Sequence, residues 1–343
     1  MPAGNANPTA TTRAAAPARR TNRFVRRPSA ITLPPTRPGR PAAEPSPSRR
    51  GHLCRRTLTG VTWGVRVQRV GALRRRLTQF DAVLVAFSGG ADSAFLLAAA
   101  VRALGTGRVV AATAVSPSLP MTELAAAGEF AADLGVRHLT PRTGELSREG
   151  YRANGGDRCY FCKAELLDTL TPIAADLGAV VLTGTNADDA IAGFRPGIRA
   201  AAERGAQAPL RDAGLTKQQI RDTSREWGLR TWDKPAAACL SSRIAYGLQI
   251  TPALLSRVER AEAALRTALT ADGHQVGDLR VRDLGHGMAR VEVSADLVGV
   301  LQLRPDVLDA VAEFDAVELR EFRSGSMNDA LSGLPVGAEA ERD

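Results

Sequence analysis

The 343-residue chain lacks the features that would assign it to the membrane or secretory classes. It has no uninterrupted apolar run of about 18 residues, so no transmembrane helix is expected. No apolar segment follows its basic N-terminus, which argues against a secretion signal. It has only four cysteines, too few for a disulfide framework in a chain of this length. We therefore expect a soluble protein of the reducing cytoplasm.

Acidic residues are nearly missing from the first 80 positions, which hold 17 arginines, no lysine and a single acid, Glu44. The net charge of +9 divides into +16 for this stretch and −7 for residues 81–343. Because the stretch is rich in Ala, Pro, Thr and Ser, we predict a disordered basic arm over residues 1–60. An organelle transit peptide and an RNA-contacting arm have the same composition, and both remain open.

From residue 81 onward, short continuous apolar runs alternate with segments of helical spacing. The apolar runs are DAVLVAF, RVVAATAVS, VRHLTPR and AVVLTGT. Strands separated by helices of this length form a parallel sheet, so we predict a doubly wound α/β domain over residues 61–235. A long amphipathic segment and two strand patterns, DLRVRDLG and MARVEVS, predict a smaller α+β domain over residues 236–325. Residues 326–343 are predicted to be a flexible tail.

The segment SGGADS lies where the first predicted strand passes into the first helix. Its glycines allow backbone N–H groups to approach an anion, and the helix N-terminus adds positive potential. The spacing GxxxxGK[ST] is absent, so this is not the phosphate loop of kinases and GTPases. We predict that it binds the phosphates of ATP, with a carboxylate of the segment beside Mg²⁺. The candidate residues are Ser88, Gly89, Gly90, Asp92 and Ser93.

Two further carboxylates, Asp188 and Asp189, follow the predicted strand AVVLTGT. The carboxyl ends of parallel strands form the ligand side of an open α/β sheet. Both residues are therefore candidate ligands of Mg²⁺ on the pyrophosphate. The alternative is that they cap the next helix.

The SGGADS loop resembles the pyrophosphate loop (PP-loop) of the N-type ATP pyrophosphatases, which split ATP to AMP and pyrophosphate. Across about residues 70–300, SPSLPMTEL, DRCYFCKAEL, TGTNADD, WDKPAAACLSSR and LRVRDLGHGMARVEV resemble the LarE family. The resemblance implies an adenine nucleotide alpha hydrolase-like fold and an ATP-dependent sulfur transferase of nickel-pincer cofactor synthesis. The implied substrate is a pyridinium biscarboxylate mononucleotide, whose carboxylates become thiocarboxylates. A homo-oligomer is also implied.

Three cysteines are candidates for the sulfur chemistry. A carboxylate becomes a good electrophile once AMP is its leaving group, and Cys239 is the natural thiolate to meet it. The resemblance implies that relatives use either a sacrificial cysteine or a cluster-dependent route. Cys159 and Cys162 form a CxxC and, with Cys239, supply three thiolates for a possible [4Fe-4S] cluster with one open iron. A zinc, redox or purely structural CxxC stays open.

The substrate's carboxylates and phosphate require cations. Arg195 lies in FRPG, Arg243 follows Cys239, and Arg280 and Arg282 share one face of a predicted strand. We predict that these four arginines bind the substrate, and the resemblance places substrate-binding arginines in this strand. The alternative for Arg280 and Arg282 is that they belong to a solvent-exposed face of the strand and bind nothing.

Other functional classes remain to be compared with this prediction. A PP-loop tRNA thiolase also combines SGGxDS with three cysteines, but an acidic folded region argues against a nucleic-acid partner. A non-catalytic nucleotide sensor would bind AMP without exchange of pyrophosphate. An amidotransferase-type synthetase gives no role to the cysteines. We therefore expect a small-molecule partner, with neither nucleic acid nor membrane.

Overall fold

The computed structural model describes residues 51–191, 195–235 and 238–323 together with Ser326, and for residues 51–62 it describes the backbone. No helix within these residues is long and apolar enough to cross a membrane. Residues 1–50 of the predicted basic arm lie outside the described residues. Its last part, residues 51–60, belongs to a helix that begins at Gly51. The predicted tail beyond residue 326 also lies outside them. The predicted domain boundaries therefore stay predictions.

The described elements alternate between helices and strands in the N-terminal half. The helices are α1 (Gly51–Leu77), α2 (Ala91–Leu104), α3 (Met121–Asp133), α4 (Glu149–Arg152), α5 (Arg158–Asp176), α6 (Ala187–Ile191), α7 (Pro196–Glu203), α8 (Pro209–Asp212), α9 (Lys217–Glu226), α10 (Pro252–Ala271) and α11 (Ala295–Leu303). The strands are β1 (Val83–Ala86), β2 (Val109–Ala112), β3 (Arg137–Leu139), β4 (Val180–Thr183), β5 (Leu279–Gly285), β6 (Met288–Val293) and β7 (Ala316–Glu321).

The first four strands form a parallel sheet in the order β3-β2-β1-β4. Side chains of the central strand β1 alternate between two cores. Val83 and Val85 pack with α1, α2 and α9 on one face, while Leu84 and Ala86 pack with α5 on the other. Burial on both faces explains why the strand sequences are continuous apolar runs. The predicted α/β fold is confirmed.

The strand order creates a crevice at the carboxyl ends of β1 and β4. The chain runs outward from β1 through β2 to β3 and then returns to pair β4 with the opposite side of β1. Connections from the two neighbouring strands therefore leave in different directions, which opens a ligand site between them. The SGGADS loop follows β1 and Gly184 follows β4 at this crevice.

The C-terminal part packs α10 against a mixed sheet of order β5-β6-β7. The predicted strands β5 and β6 pair antiparallel, and their turn uses His286 and Gly287 at φ values of 51° and 71°. Strand β7 pairs parallel with β6 and was not predicted from the sequence. The alternation of apolar and polar residues along β7 is weak, because the side chains of this strand are half-buried or exposed.

One core joins the C-terminal part to the N-terminal half. It contains Leu255 and Val258 of α10 and Val281 and Val291 of the sheet, and also Tyr151 from α4. Phe161 and Cys162 of α5 pack against the same core. The CxxC segment is thus embedded where the two parts of the fold meet.

Candidate active site at the carboxyl ends of β1 and β4

The SGGADS loop is shaped to present backbone N–H groups. Gly89 has φ +73° and lies so close to α3 that an added Cβ would be 3.4 Å from the Cβ of Ala127. Gly90 is the N-cap of α2, and no side chain caps the helix there. Ser93 donates a hydrogen bond to the carbonyl of Gly90 at 3.0 Å, and its hydroxyl lies 3.2 Å from that of Ser88. The uncapped helix N-terminus is suited to bind a phosphate.

Asp92 has one carboxylate oxygen without a protein partner. Its Oδ2 accepts a hydrogen bond from the Asn186 amide at 3.2 Å, whereas its buried Oδ1 has no partner among the described residues. Desolvation raises the pKa of Asp92 above its usual value, Lys217 opposes this shift, and Asp189 adds to it. A buried, unpartnered carboxylate oxygen beside a second carboxylate fits a Mg²⁺ ligand.

A cavity of about 410 Å³ opens beside the loop, a size typical of small-molecule sites. Its lining includes Ser88, Asp92 and Ser93 from the loop, the backbone after β4, and Asp189. It also includes three lysines: Lys163, Lys217 and Lys234. The cavity therefore combines an anion-binding loop, two carboxylates and three cations.

These three lysines were not predicted from the sequence, although a signal was present. The chain contains 42 arginines and only three lysines, and all three line this one cavity. An ammonium is a compact charge that reaches a phosphate through one atom, whereas a guanidinium is a planar fork. The presence of all three lysines at one cavity in such an arginine-rich chain therefore indicates that the cavity binds a phosphate.

The lysines differ in their surroundings. The Nζ of Lys234 donates to the carbonyl of Gly89 at 3.1 Å and to Glu123 at 2.7 Å, so it ties the PP-loop to α3. Burial lowers the pKa of Lys163. Lys217 lies at the start of α9, where its backbone N–H donates to Asp188 at 2.8 Å. All three residues line the same cavity.

The two predicted acidic residues of the TGT segment do not occupy equivalent positions. Asp189 lines the cavity and forms a 3.7 Å ion pair with the exposed Arg195. Asp188 instead accepts the backbone N–H of Lys217 and is not part of the cavity lining described. Asp189 is thus the better located of the two for Mg²⁺, and its role remains a prediction.

The predicted cysteines share one neighbourhood. Helix α5 begins at Arg158, so Cys159 and Cys162 occupy its first turns on one face. Cys239 begins the 3₁₀ turn Leu240–Arg243. Desolvation raises the pKa of Cys162 strongly, and the negative charge of a Cys239 thiolate raises it further.

No three Cys, His, Asp or Glu side chains of the described chain converge as ligands of a single metal ion. A [4Fe-4S] cube takes each thiolate on a different iron, so its ligands stand farther apart than those of one ion. Three thiols in one neighbourhood are the donor set that such a cluster requires.

Buried hydroxyls hold the Cys239 turn in place. The hydroxyl of Tyr151 bonds to those of Ser118 and Ser241, and the Ser241 hydroxyl donates to Ser118 at 3.1 Å. The backbone N–H of Leu240 donates to the Ser118 carbonyl at 2.8 Å. This hydroxyl cluster of Ser118, Tyr151 and Ser241 connects three distant segments of the chain directly beside Cys239.

Three of the four predicted arginines are brought together. Burial lowers the pKa of Arg280, and the charges of Arg243 and Arg282 lower it further. Arg243 pairs with Glu262 at 2.9 Å and donates to the Cys239 carbonyl at 3.0 Å. Arg282 pairs with Glu292 at 2.8 Å, and its buried Nε has no partner among the described residues.

Two of these arginines thus have carboxylate partners, and the charges of Glu262 and Asp278 partly offset the lowering of the pKa of Arg280. The fourth predicted arginine, Arg195, forms its ion pair with Asp189, which lines the cavity beside the SGGADS loop.

Known proteins resemble most of the chain, although no protein-family model matches it. An uncharacterised protein of Synechocystis is 39% identical over 268 residues, which is 76% of this chain and 97% of that protein. The pyridinium-3,5-bisthiocarboxylic acid mononucleotide synthase of Lactiplantibacillus plantarum is 32% identical over 263 residues, 75% of this chain and 92% of that enzyme. An uncharacterised protein of Methanocaldococcus jannaschii is 28% identical over 176 residues, 50% of this chain and 66% of that protein. Since the match to the synthase spans nearly its whole length, the chain belongs to the LarE family.

Proposed function

We propose that the chain is an ATP-dependent sulfur transferase acting on a pyridinium biscarboxylate mononucleotide. The similarity to the L. plantarum synthase supports this substrate class. The observation that carries the proposal is the location of Lys163, which lines the ATP cavity and directly follows Cys162. This neighbourhood supports a short path between adenylation and sulfur delivery, which a reactive acyl adenylate requires if it is to meet sulfur before water.

In the first step, a substrate carboxylate oxygen attacks the α-phosphorus of ATP and pyrophosphate leaves. The N–H groups of the loop from Ser88 to Ser93 bind the pyrophosphate, and Asp92 with Asp189 would hold Mg²⁺. When bound, Mg²⁺ would neutralise charge on the phosphates. Lys163, Lys217 and Lys234 supply fixed positive charge around the same cavity and stabilise the charge that develops during transfer.

In the second step, a sulfur anion attacks the carbonyl carbon of the acyl adenylate. A C–S bond forms, the C–O bond to AMP breaks, and AMP leaves with the electron pair. The sulfur's proton passes to solvent, and the product is a thiocarboxylate. The Cys239 turn, supported by the hydroxyl cluster, positions this chemistry.

We propose Cys159, Cys162 and Cys239 as ligands of a [4Fe-4S] cluster. When bound through three thiolates, such a cluster leaves one iron available for a hydrosulfide. In this arrangement Cys239 is retained through turnover. Without the cluster, the Cys239 thiolate would attack the acyl adenylate and form a thioester as AMP leaves. Loss of the Cα proton would then break the Cβ–Sγ bond, release the thiocarboxylate and leave dehydroalanine at position 239.

We propose that the arginines of the C-terminal part bind the substrate's anionic groups. Arg243, Arg280 and Arg282 interact electrostatically beside the Cys239 turn, and the Nε of Arg282 has no partner among the described residues. Arg195 would contact the substrate near Asp189. We further propose a cytoplasmic homo-oligomer that takes a small-molecule substrate and no nucleic acid, with the domains bounded as predicted from the sequence.

The test uses the full chain purified without oxygen and supplied with ATP, Mg²⁺ and the pyridinium biscarboxylate mononucleotide. We expect ATP–pyrophosphate exchange that depends on this substrate, and a thiocarboxylate product by mass spectrometry. Exchange with no carboxylate present, or thiolation of tRNA in place of the nucleotide, would contradict the proposal.

Iron analysis and the mass at Cys239, both measured on the same samples, identify the sulfur source. Iron and an unchanged mass at Cys239 after turnover support the cluster. Absence of iron with a loss of about 34 Da at Cys239, the mass of H₂S lost when cysteine becomes dehydroalanine, would contradict the cluster and identify Cys239 as the donor.

A further inference from the structure

The segment after α9 carries Lys234 into the ATP cavity without the support of a helix or strand. Between α9 and Leu240, the described residues form turns and irregular backbone. The backbone N–H of Lys234 donates to the Thr231 carbonyl at 3.2 Å. Its Nζ reaches across to the Gly89 carbonyl and to Glu123. The position of this ammonium therefore depends on what holds the backbone of Lys234.

Arg221 of α9 holds that backbone. Its Nη2 donates a hydrogen bond to the carbonyl of Lys234 at 3.0 Å, which is the hydrogen bond that this side chain makes within the described residues. Its Nε is buried and has no partner among them. A buried donor without a partner costs stability, so space filling alone does not explain an arginine at this position.

Helix α9 is a fixed base for this contact. It begins with a capping box, in which Thr216 and Gln219 each accept the backbone N–H of the other. Trp227, directly after the helix, stacks on Phe95 of α2 with ring centres 5.0 Å apart. Because α2 begins at the PP-loop, Arg221 and the loop are carried by two helices that pack together.

Arg221 is also close to the cavity lysines along the helix. Lys217 and Arg221 are four positions apart and therefore share one face of α9. Lys217 and Lys234 both line the ATP cavity, whereas Arg221 is not among the lining residues described. Arg221 is thus placed to act on a bound phosphate through Lys234 and not by contact.

We infer that Arg221 is a positioning residue for the ATP site, which fixes the backbone of Lys234 and so directs its ammonium to the PP-loop and to the phosphates of ATP. The ammonium is then in place before ATP arrives, and its ordering does not have to be offset by binding. The inference rests on the proposed function, because that function supplies the ATP. It assigns Arg221 no contact with the carboxylate substrate.

The test is a double-mutant cycle of Arg221→Met and Lys234→Met on the full chain, measured by substrate-dependent ATP–pyrophosphate exchange. Arg221→Met removes the bond to the Lys234 carbonyl, so the KM for ATP is expected to rise about fivefold, as loss of one hydrogen bond implies. The kcat is expected to stay within about threefold, because the ammonium is misplaced and not removed.

The double variant tests whether Arg221 acts through Lys234. Its KM for ATP is expected to be about tenfold above the wild type, as in Lys234→Met alone, whereas two independent losses would multiply to about fiftyfold. A fiftyfold rise, or an unchanged KM in Arg221→Met, would overturn the inference. A lower kcat at an unchanged KM would reflect a smaller folded fraction and would equally overturn it.

The matched control is Arg225→Met. Arg225 lies one turn further along α9, its side chain is exposed, and its guanidinium lies 5.1 Å from the ring centre of Trp232 in the same segment. This variant removes the same charge and a contact with the same segment, but not the bond to Lys234. Its KM for ATP is expected to match the wild type, and a rise equal to that of Arg221→Met would overturn the specific role of Arg221.

If Arg221→Met does not fold by urea denaturation, Arg221→Gln takes its place in the cycle. The amide is too short to reach the Lys234 carbonyl but keeps a polar group at the position. The same rise in KM and the same absence of a further rise in the double variant are expected. An unchanged KM would again overturn the inference.

Failure of this inference can be told apart from failure of the proposed function. A wild-type chain that exchanges pyrophosphate with the pyridinium biscarboxylate mononucleotide, beside an Arg221→Met variant of equal KM for ATP, would overturn the role of Arg221 and leave the function intact. Absence of exchange in the wild type would overturn the function. The affinities of the same variants for ATP alone, measured by calorimetry, would then decide the role of Arg221.

Discussion

Replacement of Asp92 by asparagine is expected to make the protein more stable while removing its activity. Desolvation is the largest influence on this carboxylate, and its buried Oδ1 has no partner among the described residues. Asparagine has the same shape and its oxygen can still accept from Asn186, so the existing hydrogen bond is kept. The variant therefore removes a desolvated charge at little cost in packing.

The two effects have different sizes. Relief of a desolvated functional group typically adds about 0.5–2 kcal/mol to the free energy of unfolding. Removal of one preorganised electrostatic group lowers kcat by about 100-fold or more. The pKa of Asp92 is raised in the folded state, so the destabilisation is present above that raised value. The stability difference between variant and wild type is thus expected at neutral pH and to vanish as the pH falls below the carboxyl's ordinary pKa.

The assay combines urea denaturation with substrate-dependent ATP–pyrophosphate exchange. Asp81→Asn is the control, since this carboxylate is exposed and outside the cavity lining; it is expected to change neither property. An Asp92→Asn variant that is less stable than the wild type, or that exchanges normally, would refute the reasoning.

Three further predictions follow from contacts around the site. Gly184→Ala is expected to lower the free energy of unfolding by about 1–3 kcal/mol and to weaken ATP binding, because its Cβ would lie 3.0 Å from the backbone nitrogen of Ser93. An unchanged urea denaturation curve and an unchanged ATP affinity by calorimetry would contradict this prediction. Tyr151→Phe opens the hydroxyl cluster, and we expect sulfur transfer to fall while exchange is retained; equal losses in both assays would contradict a positioning role. Lys234→Met breaks the bonds to Gly89 and Glu123 and is expected to raise the KM for ATP about tenfold; an unchanged KM would show that the lysine is dispensable.

Local patterns in the sequence were sufficient to predict that the SGGADS loop lies between the first strand of the parallel sheet and the helix after it. The strand before Ser88 and the helix after it are contiguous in the chain, so their order determines where the phosphate loop lies. The position of Asp189 follows in the same way from the end of β4. Strand β7 was missed because an edge strand with half-buried side chains has little hydrophobic periodicity.

Contacts between distant segments were not predictable in this way. Arg158 and Ser241 are 83 positions apart, and their hydrogen bond depends on how the two parts of the fold pack. The three lysines likewise converge from α5, α9 and the segment after α9. Motif spacing gives no indication of these lysines, and the rarity of lysine in the composition is the sequence feature that could have indicated them.

The central claim is that ATP adenylates a carboxylate of the substrate, and an isotope measurement tests it most directly. The pyridinium biscarboxylate mononucleotide is prepared with oxygen-18 in its ring carboxylates and turned over with unlabelled ATP. We predict that oxygen-18 appears in the phosphate of AMP, because the attacking carboxylate oxygen stays on the α-phosphorus when sulfur replaces it. Formation of thiocarboxylate with unlabelled AMP, or with ADP as the nucleotide product, would contradict the account.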